Sequence, residues 1–272
     1  MSNLAARFLT AAVLVPILLV GMLLLPPWVT LVLTAIATAI GSDEVLGLFG
    51  HERKSGVRIV GAMIGPGLLA CAYAYSSSPR LLLATFVAAV MLALLLGVMC
   101  KGEAQVAGRK MYGLVVAALY PSVFLALAPI IRRDSPDGGW WVVLPLATAF
   151  LSDTGAYFAG RFLGRHKLAP RLSPKKTIEG SAGGLAGGVA ANLIACFLIL
   201  DDLPALHAVA LGIAGSAIGQ IGDLVESLMK RASDIKDAGK VFPGHGGMMD
   251  RIDAAVFVIA FYYAYLLARG MM

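Results

Sequence analysis

Apolar runs of about 17–25 residues recur along the whole chain and constrain its fold more than any other feature. Each run has the length that crosses the roughly 30 Å hydrocarbon layer of a bilayer as a helix. Of the 272 residues, 59% are hydrophobic and only 14% are charged. The sequence therefore predicts an all-α, polytopic integral membrane protein, a bundle of about nine transmembrane helices. The predicted spans are 9–25, 28–49, 59–75, 81–100, 111–131, 140–163, 181–200, 205–230 and 252–268.

The distribution of basic residues predicts how the helices are oriented. With a cytosolic N-terminus, 18 of the 22 Lys and Arg residues fall on the cytosolic side and four on the other, as the positive-inside rule requires. No small-residue cleavage site follows the first run, so we expect a retained span rather than a signal peptide. We therefore expect a multi-pass protein of the cell inner (cytoplasmic) membrane, with the polar loops 161–180 and 231–251 in the cytosol.

Polar residues are unevenly divided between the two halves of the chain. Residues 1–139 contain mostly plain apolar helices and are interpreted as an N-terminal transmembrane scaffold. Residues 140–272 contain most of the unusual polar residues and both long cytosolic loops. We interpret this second part as the catalytic region.

Acidic residues inside the predicted spans need partners, because a charge in the membrane costs a few kcal/mol. Asp153 lies about eight residues before the next basic loop, roughly 12 Å below the cytosolic edge. Asp223 lies seven residues before its basic helix end, roughly 10 Å below that edge. Two carboxylates at similar depth on different helices indicate a shared cation or a shared cavity. Asp43 and Glu44 form a further pair, which either joins this cleft or pairs with an inner lysine.

The eighth predicted span carries a polar stripe. Asp223, Glu226, Ser227 and Lys230 are spaced i, i+3, i+4 and i+7, so they lie on one helical face, and Gln220 extends it. This face is either the wall of a water-filled cleft or a set of interhelical hydrogen bonds with a snorkelling lysine. We favour the cleft for Asp223 and the hydrogen bonds for Ser227 and Gln220.

A glycine-rich turn precedes the last span. Gly246 and Gly247 allow a backbone bend that directs amide groups at an anion, and His245 in the same turn is a candidate donor to a phosphate. Asp250 and Asp253 follow. The alternative for these two acids is that they simply favour a helix start.

The loop 161–180 contains six Lys and Arg residues. For any one of them, contact with anionic lipids on the cytosolic side is the favoured explanation. In the segment 173–180, however, Ser173 and Pro174 stop the chain, and Lys175, Lys176 and Thr177 then precede a helix, which predicts a phosphate cradle. The pattern GxxxxGK[ST] is absent, so the chain is not a P-loop NTPase.

The seventh predicted span contains a face of small residues and one amide. A small-xxx-small face of this kind predicts close helix packing rather than chemistry, and Asn192 predicts an interhelical hydrogen bond. The glycines of the face are Gly183, Gly184, Gly187 and Gly188.

Residues 227–253 resemble the full signature of the phosphatidate cytidylyltransferase (CDP-diacylglycerol synthase) family. Residues 152–180, with the sequences SDTGAY and LSPKKTIEG, are also similar to that family. The N-terminal half is similar only in being a set of spans. The signature positions met are Ser227, Lys230, Arg231, Lys236, Asp237, Gly239, Phe242, Pro243, His245, Gly246, Gly247, Asp250, Arg251 and Asp253.

The resemblance implies the reaction of CTP with phosphatidate to give CDP-diacylglycerol and pyrophosphate, with one or two Mg²⁺ ions. It also implies a helical membrane bundle that forms a homodimer. The expected partners are CTP, phosphatidate from the inner leaflet and membrane lipids. No nucleic-acid partner is expected.

These expectations give a site hypothesis. The carboxylates of Asp223, Asp250 and Asp153 are expected to bind the metal, and Lys176, with Lys230 or Arg231, is expected to neutralise phosphates. His245 and the amides of Gly246 and Gly247 are expected to hold a leaving-group oxygen. The remaining expected substrate-binding residues are Ser173, Lys175, Thr177 and Lys236, and the remaining expected catalytic residue is Arg251.

Two other functions fit the composition. A CTP-dependent lipid kinase would yield CDP and a new phosphomonoester, and a transporter would also carry polar residues inside its spans. Against the transporter, no inverted repeat is evident and the polar residues cluster near one membrane face. The three cysteines are odd in number and lack ligand spacing, so neither a disulfide framework nor a zinc site is indicated.

Overall fold

The protein is described here by a computed structural model that covers residues 3–233, 235, 239 and 246–272, except for the side chains of residues 3–11 and 14. Ten helices and one two-stranded antiparallel sheet are present in this part of the chain. In chain order they are α1 (Asn3–Leu23), α2 (Pro27–Leu48), α3 (Gly56–Ala74), α4 (Pro79–Val98), α5 (Ala104–Leu125), α6 (Leu127–Asp134), α7 (Gly138–Phe162), β1 (Lys167–Ala169), β2 (Ser173–Thr177), α8 (Ile178–Leu198), α9 (Ala205–Ala232) and α10 (Met249–Ala268).

The predicted transmembrane architecture is confirmed. Eight helical segments of the described chain are long and apolar enough to cross a membrane, with α5 and α6 together forming one of them. Each coincides with a predicted span, and α1 is helical where the first span was predicted. The chain is therefore a polytopic helical membrane protein. The predicted cytosolic position of the N-terminus stays a prediction.

Helix boundaries differ from the predicted ones where polar residues extend a helix. The helix α5 begins at Ala104, seven residues before the predicted span, because a helix need not stop at the end of its apolar part. Similarly, α9 continues to Ala232, and α10 already begins at Met249. The β1–β2 hairpin was not predicted, because its residues lack the alternation of apolar and polar side chains that is typical of a half-buried strand.

Contacts divide the chain into two units. The first contains Met1–Ile130 and Ala232–Arg251, and the second contains Ile131–Arg231 and Ile252–Met272. The predicted functional division after residue 139 stays a prediction.

In the first unit, α2, α3 and α5 pack through small residues. A Cβ at Gly65 of α3 would lie 2.8 Å from the Ser42 hydroxyl oxygen of α2. That hydroxyl donates to the Ala117 carbonyl of α5 at 2.7 Å. A Cβ at Gly61 would collide with the Leu114 side chain of α5. The three helices therefore approach closely because these positions carry no larger side chain.

A bidentate ion pair joins α2 to α3 in the same unit. Arg58 Nε lies 2.6 Å from Asp43 Oδ1, and Arg58 Nη2 lies 2.8 Å from Asp43 Oδ2. Arg58 Nη1 also donates to the His51 carbonyl at 2.8 Å. Asp43 is thus paired with a basic residue, as one of the two alternatives predicted, although that residue is an arginine rather than a lysine.

In the second unit, the glycine face of α8 packs as predicted. A Cβ at Gly183 would lie 2.7 Å from the Gly155 carbonyl oxygen of α7, and one at Gly187 would collide with the Leu151 carbonyl of the same helix. On the opposite side, a Cβ at Gly188 would lie 2.8 Å from the Gly212 carbonyl oxygen of α9. The backbone of α8 is therefore in contact with two neighbouring helices.

A buried polar network links three helices of the second unit. Asn192 on α8 donates to the Thr148 hydroxyl of α7 at 3.0 Å, and its side-chain oxygen accepts from the Tyr262 hydroxyl of α10 at 2.8 Å. All three side chains are buried. The predicted interhelical role of Asn192 is confirmed.

The glycine packing generates the first testable prediction. Replacement of Gly187 by alanine should lower the free energy of unfolding by about 2 kcal/mol, because the added methyl group overlaps a backbone carbonyl that cannot rotate away. Thermal unfolding of the detergent-solubilised protein measures this loss. The matched control is Gly108→Ala on α5, where a Cβ meets no atom within 4 Å and stability should be equal or slightly higher. Equal stability of the two variants would contradict the packing argument.

Candidate functional site

Asp223 on α9 forms the central ion pair of the second unit. Lys176 Nζ lies 2.5 Å from Asp223 Oδ2, and the two side chains are 23% and 30% exposed. The Ser227 hydroxyl, one turn further along α9, donates to Asp223 Oδ1 at 3.3 Å. The carboxylate is therefore compensated by a cation and still accessible from outside the protein.

The β1–β2 hairpin carries Lys176 to this position. Lys167 pairs with Thr177 across the hairpin, and the strand ends directly at α8. The Thr177 hydroxyl accepts a hydrogen bond from the Gly180 amide at 3.1 Å and caps that helix. Because successive strand residues point to opposite sides, Lys176 is half-buried while Lys175 before it is exposed.

The carboxylate of Glu179 fixes the start of the hairpin. It accepts hydrogen bonds from the backbone amides of Arg165 at 3.0 Å and His166 at 3.2 Å. At the other end of the hairpin, Arg231 Nε donates to the Leu172 carbonyl at 3.4 Å. The segment that was predicted to bind phosphate thus lies in a hairpin anchored to α8 and α9, with Ser173 at the start of β2. Its binding of phosphate stays a prediction.

The rest of the predicted stripe on α9 contains a second charge pair. Glu226 is buried, and its carboxylate contacts the ammonium group of Lys230 one turn later. Gln220 exchanges hydrogen bonds with Ser181 of α8. The interhelical interpretation of Gln220 is therefore confirmed, and Lys230 neutralises a buried acid of its own helix.

Two further carboxylates lie near the Lys176–Asp223 pair. Asp253 on α10 is within electrostatic range of Asp223, of Asp153 on α7 and of Lys230. A Cβ at Gly222 would lie 2.6 Å from the Asp253 carbonyl oxygen, so α9 and α10 touch at this level. Asp153 is exposed at mid-helix.

The sequence offers two interpretations of Asp253, a signature position of the family or an acid that favours a helix start, and neither places it beside Asp223. The signal that could have identified it is its place among the few charged residues of the C-terminal spans. Asp253 comes close to Asp223 only because α10 packs against α9, and this packing is not visible in the sequence.

Asp250 of the first unit is in contact with the two glycines Gly246 and Gly247. The Gly247 amide donates to Asp250 Oδ2 at 2.8 Å. Gly246 has a φ angle of +82°, a conformation that favours glycine. The Gly247 amide is therefore engaged with Asp250, and its assignment to a substrate oxygen stays a prediction that requires this bond to open.

The three other predicted site residues are Arg251, Lys236 and His245. Arg251 is exposed in the first turn of α10. Lys236 and His245 lie outside the described residues, so their assigned roles stay predictions. Among the residues that the structure does describe, no group of three His, Cys, Asp or Glu side chains is arranged to hold a metal ion by itself.

The Lys176–Asp223 pair generates a prediction about the hairpin. Lys176→Gln and Asp223→Asn should each accelerate cleavage at Arg171 by an arginine-specific protease roughly three- to tenfold, because loss of about 1 kcal/mol releases β2 from α9. The double variant should be little faster than either single one, since both remove the same interaction.

The neighbouring substitution Lys175→Gln removes a charge from the exposed side of the strand and serves as the control for this experiment. Its cleavage rate should match that of the unsubstituted protein. Fully multiplicative effects in the double variant would show that the pair does not hold the hairpin.

The sequence was compared with families and proteins of known name. A profile of the cytidylyltransferase family matches residues 5–268. Proteins named phosphatidate cytidylyltransferase are similar to this chain: that of Bacillus subtilis (strain 168) is 32% identical over 155 residues, covering 57% of each chain. That of Staphylococcus haemolyticus (strain JCSC1435) is 42% identical over 123 residues, covering 45% of this chain and 47% of the relative.

A third relative of the same name, from Brucella suis biovar 1 (strain 1330), is 35% identical over 155 residues, covering 56% of this chain and 57% of its own length. The chain thus spans about half the length of the curated relatives it matches. The family profile, by contrast, extends from α1 to the last residue of α10. The chain belongs to the cytidylyltransferase family.

Proposed function

We propose that this chain is a phosphatidate cytidylyltransferase, which converts CTP and phosphatidate into CDP-diacylglycerol and pyrophosphate. The observation that carries the proposal is the ion pair between Lys176 and Asp223, in which the Asp223 side chain is 30% exposed. A carboxylate that binds cations and a lysine that binds phosphates stand side by side there, as a metal–nucleotide substrate requires. The family membership and the names of the relatives support the same reaction.

The donor set suits Mg²⁺. Hard carboxylate oxygens are the ligands that this ion prefers, and it is usually held by one or two carboxylates together with substrate phosphates and water. A cage of three protein ligands is therefore not required. The Asp223 side chain is 30% exposed, and Asp153 is exposed on α7. We propose Asp223, Asp250 and Asp153 as the carboxylates that bind one or two Mg²⁺ ions.

Mg²⁺ held by these carboxylates would neutralise charge on the CTP phosphates and make the α-phosphorus more electrophilic. A phosphate oxygen of phosphatidate then attacks that phosphorus, a new P–O bond forms, and the bond to the β-phosphate oxygen breaks as pyrophosphate leaves. The protein contributes positioning and charge rather than covalent chemistry. Lys176 exchanges its carboxylate partner for a phosphate oxygen in this scheme.

The other assigned residues act on the same charges. Lys230 or Arg231 is proposed to balance the remaining phosphate charge, and Arg231 is favoured because Lys230 is held by the buried carboxylate of Glu226. Ser173, Lys175 and Thr177 lie with Lys176 in β2. The Thr177 hydroxyl accepts a hydrogen bond from the Gly180 amide and keeps its own hydrogen for donation to a phosphate oxygen. Lys236, His245 and the amides of Gly246 and Gly247 are proposed to bind substrate or pyrophosphate oxygens, and Arg251 to stabilise the developing charge.

The depth of the acids explains how two unlike substrates meet. Asp223 lies nine residues before the end of α9 at Ala232, roughly 13 Å along the helix axis. A lipid phosphate can reach this level sideways from the inner leaflet, while CTP arrives from the cytosol. We accordingly propose that the protein lies in the cell inner membrane. From the family resemblance, we also propose that it works as a homodimer.

Product analysis with labelled CTP tests the reaction. With label in the α-phosphate, the lipid product should become labelled, and with label in the γ-phosphate, the label should appear in pyrophosphate. A lipid kinase would instead transfer the γ-label to lipid and release CDP. Solute flux into liposomes without turnover of CTP would identify a transporter. Either of these results would overturn the proposal.

The roles of the acids are tested separately. Asp223→Asn and Asp250→Asn should each lower formation of CDP-diacylglycerol by on the order of a hundredfold or more, because each removes a charge that compensates the metal. Both variants should remain folded, as judged by size-exclusion chromatography and thermal unfolding. The control is Asp201→Asn in the exposed turn before α9, which should keep normal turnover. Normal turnover in either test variant would end its assignment as a metal ligand.

A further inference from the structure

Glu44 on α2 holds the start of α10 within the first unit. The side chain is 5% exposed. One carboxylate oxygen accepts a hydrogen bond from the Met248 amide at 2.9 Å, and the other accepts one from the Met249 amide at 2.9 Å. A carboxylate at the positive end of a helix dipole, bonded to two amides that lack partners within the helix, is a strong cap. This cap comes from a helix 204 and 205 positions away in sequence.

Two glycines allow the chain to pass this close to the carboxylate. A Cβ at Gly247 would lie 2.6 Å from a Glu44 carboxylate oxygen, and one at Gly239 would collide with the same group. Two described residues of the signature segment, Gly239 and Gly247, therefore lie against the carboxylate of Glu44. Glu44 also lies within electrostatic range of Asp250.

The contacts of Glu44 lead directly to Asp250. The amide of Gly247 donates to Asp250 Oδ2, and the next two amides donate to Glu44. Three successive backbone amides are thus fixed by two carboxylates. A change at Glu44 alters the backbone from which the Asp250 side chain projects.

Asp43 and Glu44 are adjacent in sequence but have separate tasks. Asp43 is bound by Arg58 of α3 through two hydrogen bonds, whereas Glu44 binds backbone amides of the signature segment. A general loss of stability in α2 would follow from changing either acid. A specific displacement of residues 247–250 would follow from changing Glu44 alone.

We propose that Glu44 is a positioning residue that sets the backbone of residues 247–250, and through it the carboxylate of Asp250. The link to catalysis rests on the proposed function, in which Asp250 binds the metal. The requirement is for a carboxylate in particular. Glutamine keeps the size of Glu44, but its amide group places N–H donors against one of the two backbone N–H donors.

The first measurement is hydrogen–deuterium exchange of the metal-free, full-length protein in detergent. Glu44→Gln should accelerate exchange of the Met248 and Met249 amides about tenfold, because it removes at least one charge-assisted hydrogen bond. Asp43→Asn should leave these two amides unchanged. Exchange in Glu44→Gln that equals the unsubstituted protein would overturn the inference, whatever reaction the protein catalyses.

A shorter acid keeps the test decisive if the glutamine variant does not fold. Glu44→Asp retains the charge but withdraws both oxygens by one methylene group. It should also accelerate exchange of the two amides. Unchanged exchange in this variant would likewise overturn the inference.

The second measurement is the Mg²⁺ concentration that gives half-maximal synthesis of CDP-diacylglycerol at saturating CTP. Glu44→Gln should raise this concentration about tenfold, with activity partly restored at high Mg²⁺, because Asp250 is displaced rather than removed. Asp43→Asn should not shift it. A merely structural loss would lower activity equally at every Mg²⁺ concentration, and that result would overturn the link to Asp250. Absence of product from the unsubstituted protein would instead refute the proposed function and leave the exchange result standing.

Discussion

A charged side chain inside an apolar helical bundle is stable only where another group compensates its charge, and this constraint organises both units of the protein. Burial of an unpaired charge costs far more than an ordinary packing defect. The compensating groups are of three kinds: a guanidinium, an ammonium or a set of backbone amides. The pairs are Asp43 with Arg58, Glu44 with the amides of Met248 and Met249, Asp223 with Lys176, and Glu226 with Lys230.

These pairs differ in their access to water, and that difference separates structural charges from exchangeable ones. The Glu226 side chain is 1% exposed and cannot release Lys230 without leaving a buried charge. The Asp223 side chain is 30% exposed, whereas the ammonium nitrogen of Lys176 is itself buried. A hydrated cation can therefore approach the carboxylate of Asp223, and Lys176 has to shift to meet a phosphate. The glycine contacts of α8 fix the helices around this pair, which lets the two charges separate while the backbone stays in place. A rigid frame around an exchangeable ion pair is what a metal–nucleotide site needs.

The sequence was sufficient for the helices and for the residue types of the site, but not for their partners. Long apolar runs predict spans well, because crossing a bilayer leaves few alternatives to a helix. The glycine face of α8 and the hydrogen bond of Asn192 were also predictable, since each has one common use inside a membrane. The partners of Asp43, Glu44 and Asp253 were not, because they are set by long-range packing that no local pattern encodes. The β1–β2 hairpin was missed because its strands lack the alternation of apolar and polar side chains that predicts a strand. Its contacts with Glu179 and Arg231 involve hairpin backbone groups, which every sequence contains.

The central claim is that Asp223 exchanges Lys176 for a metal that carries the CTP phosphates. Binding of Mn²⁺ to the metal-free, full-length protein, followed by electron paramagnetic resonance with CTP present and lipid substrate absent, tests it without relying on turnover. We predict that Asp223→Asn weakens Mn²⁺ binding by at least about tenfold. The control is Asp43→Asn: because Arg58 holds the Asp43 carboxylate in the unsubstituted protein, this variant should bind Mn²⁺ with unchanged affinity. Equal Mn²⁺ affinity in the Asp223→Asn variant and the unsubstituted protein would contradict the claim.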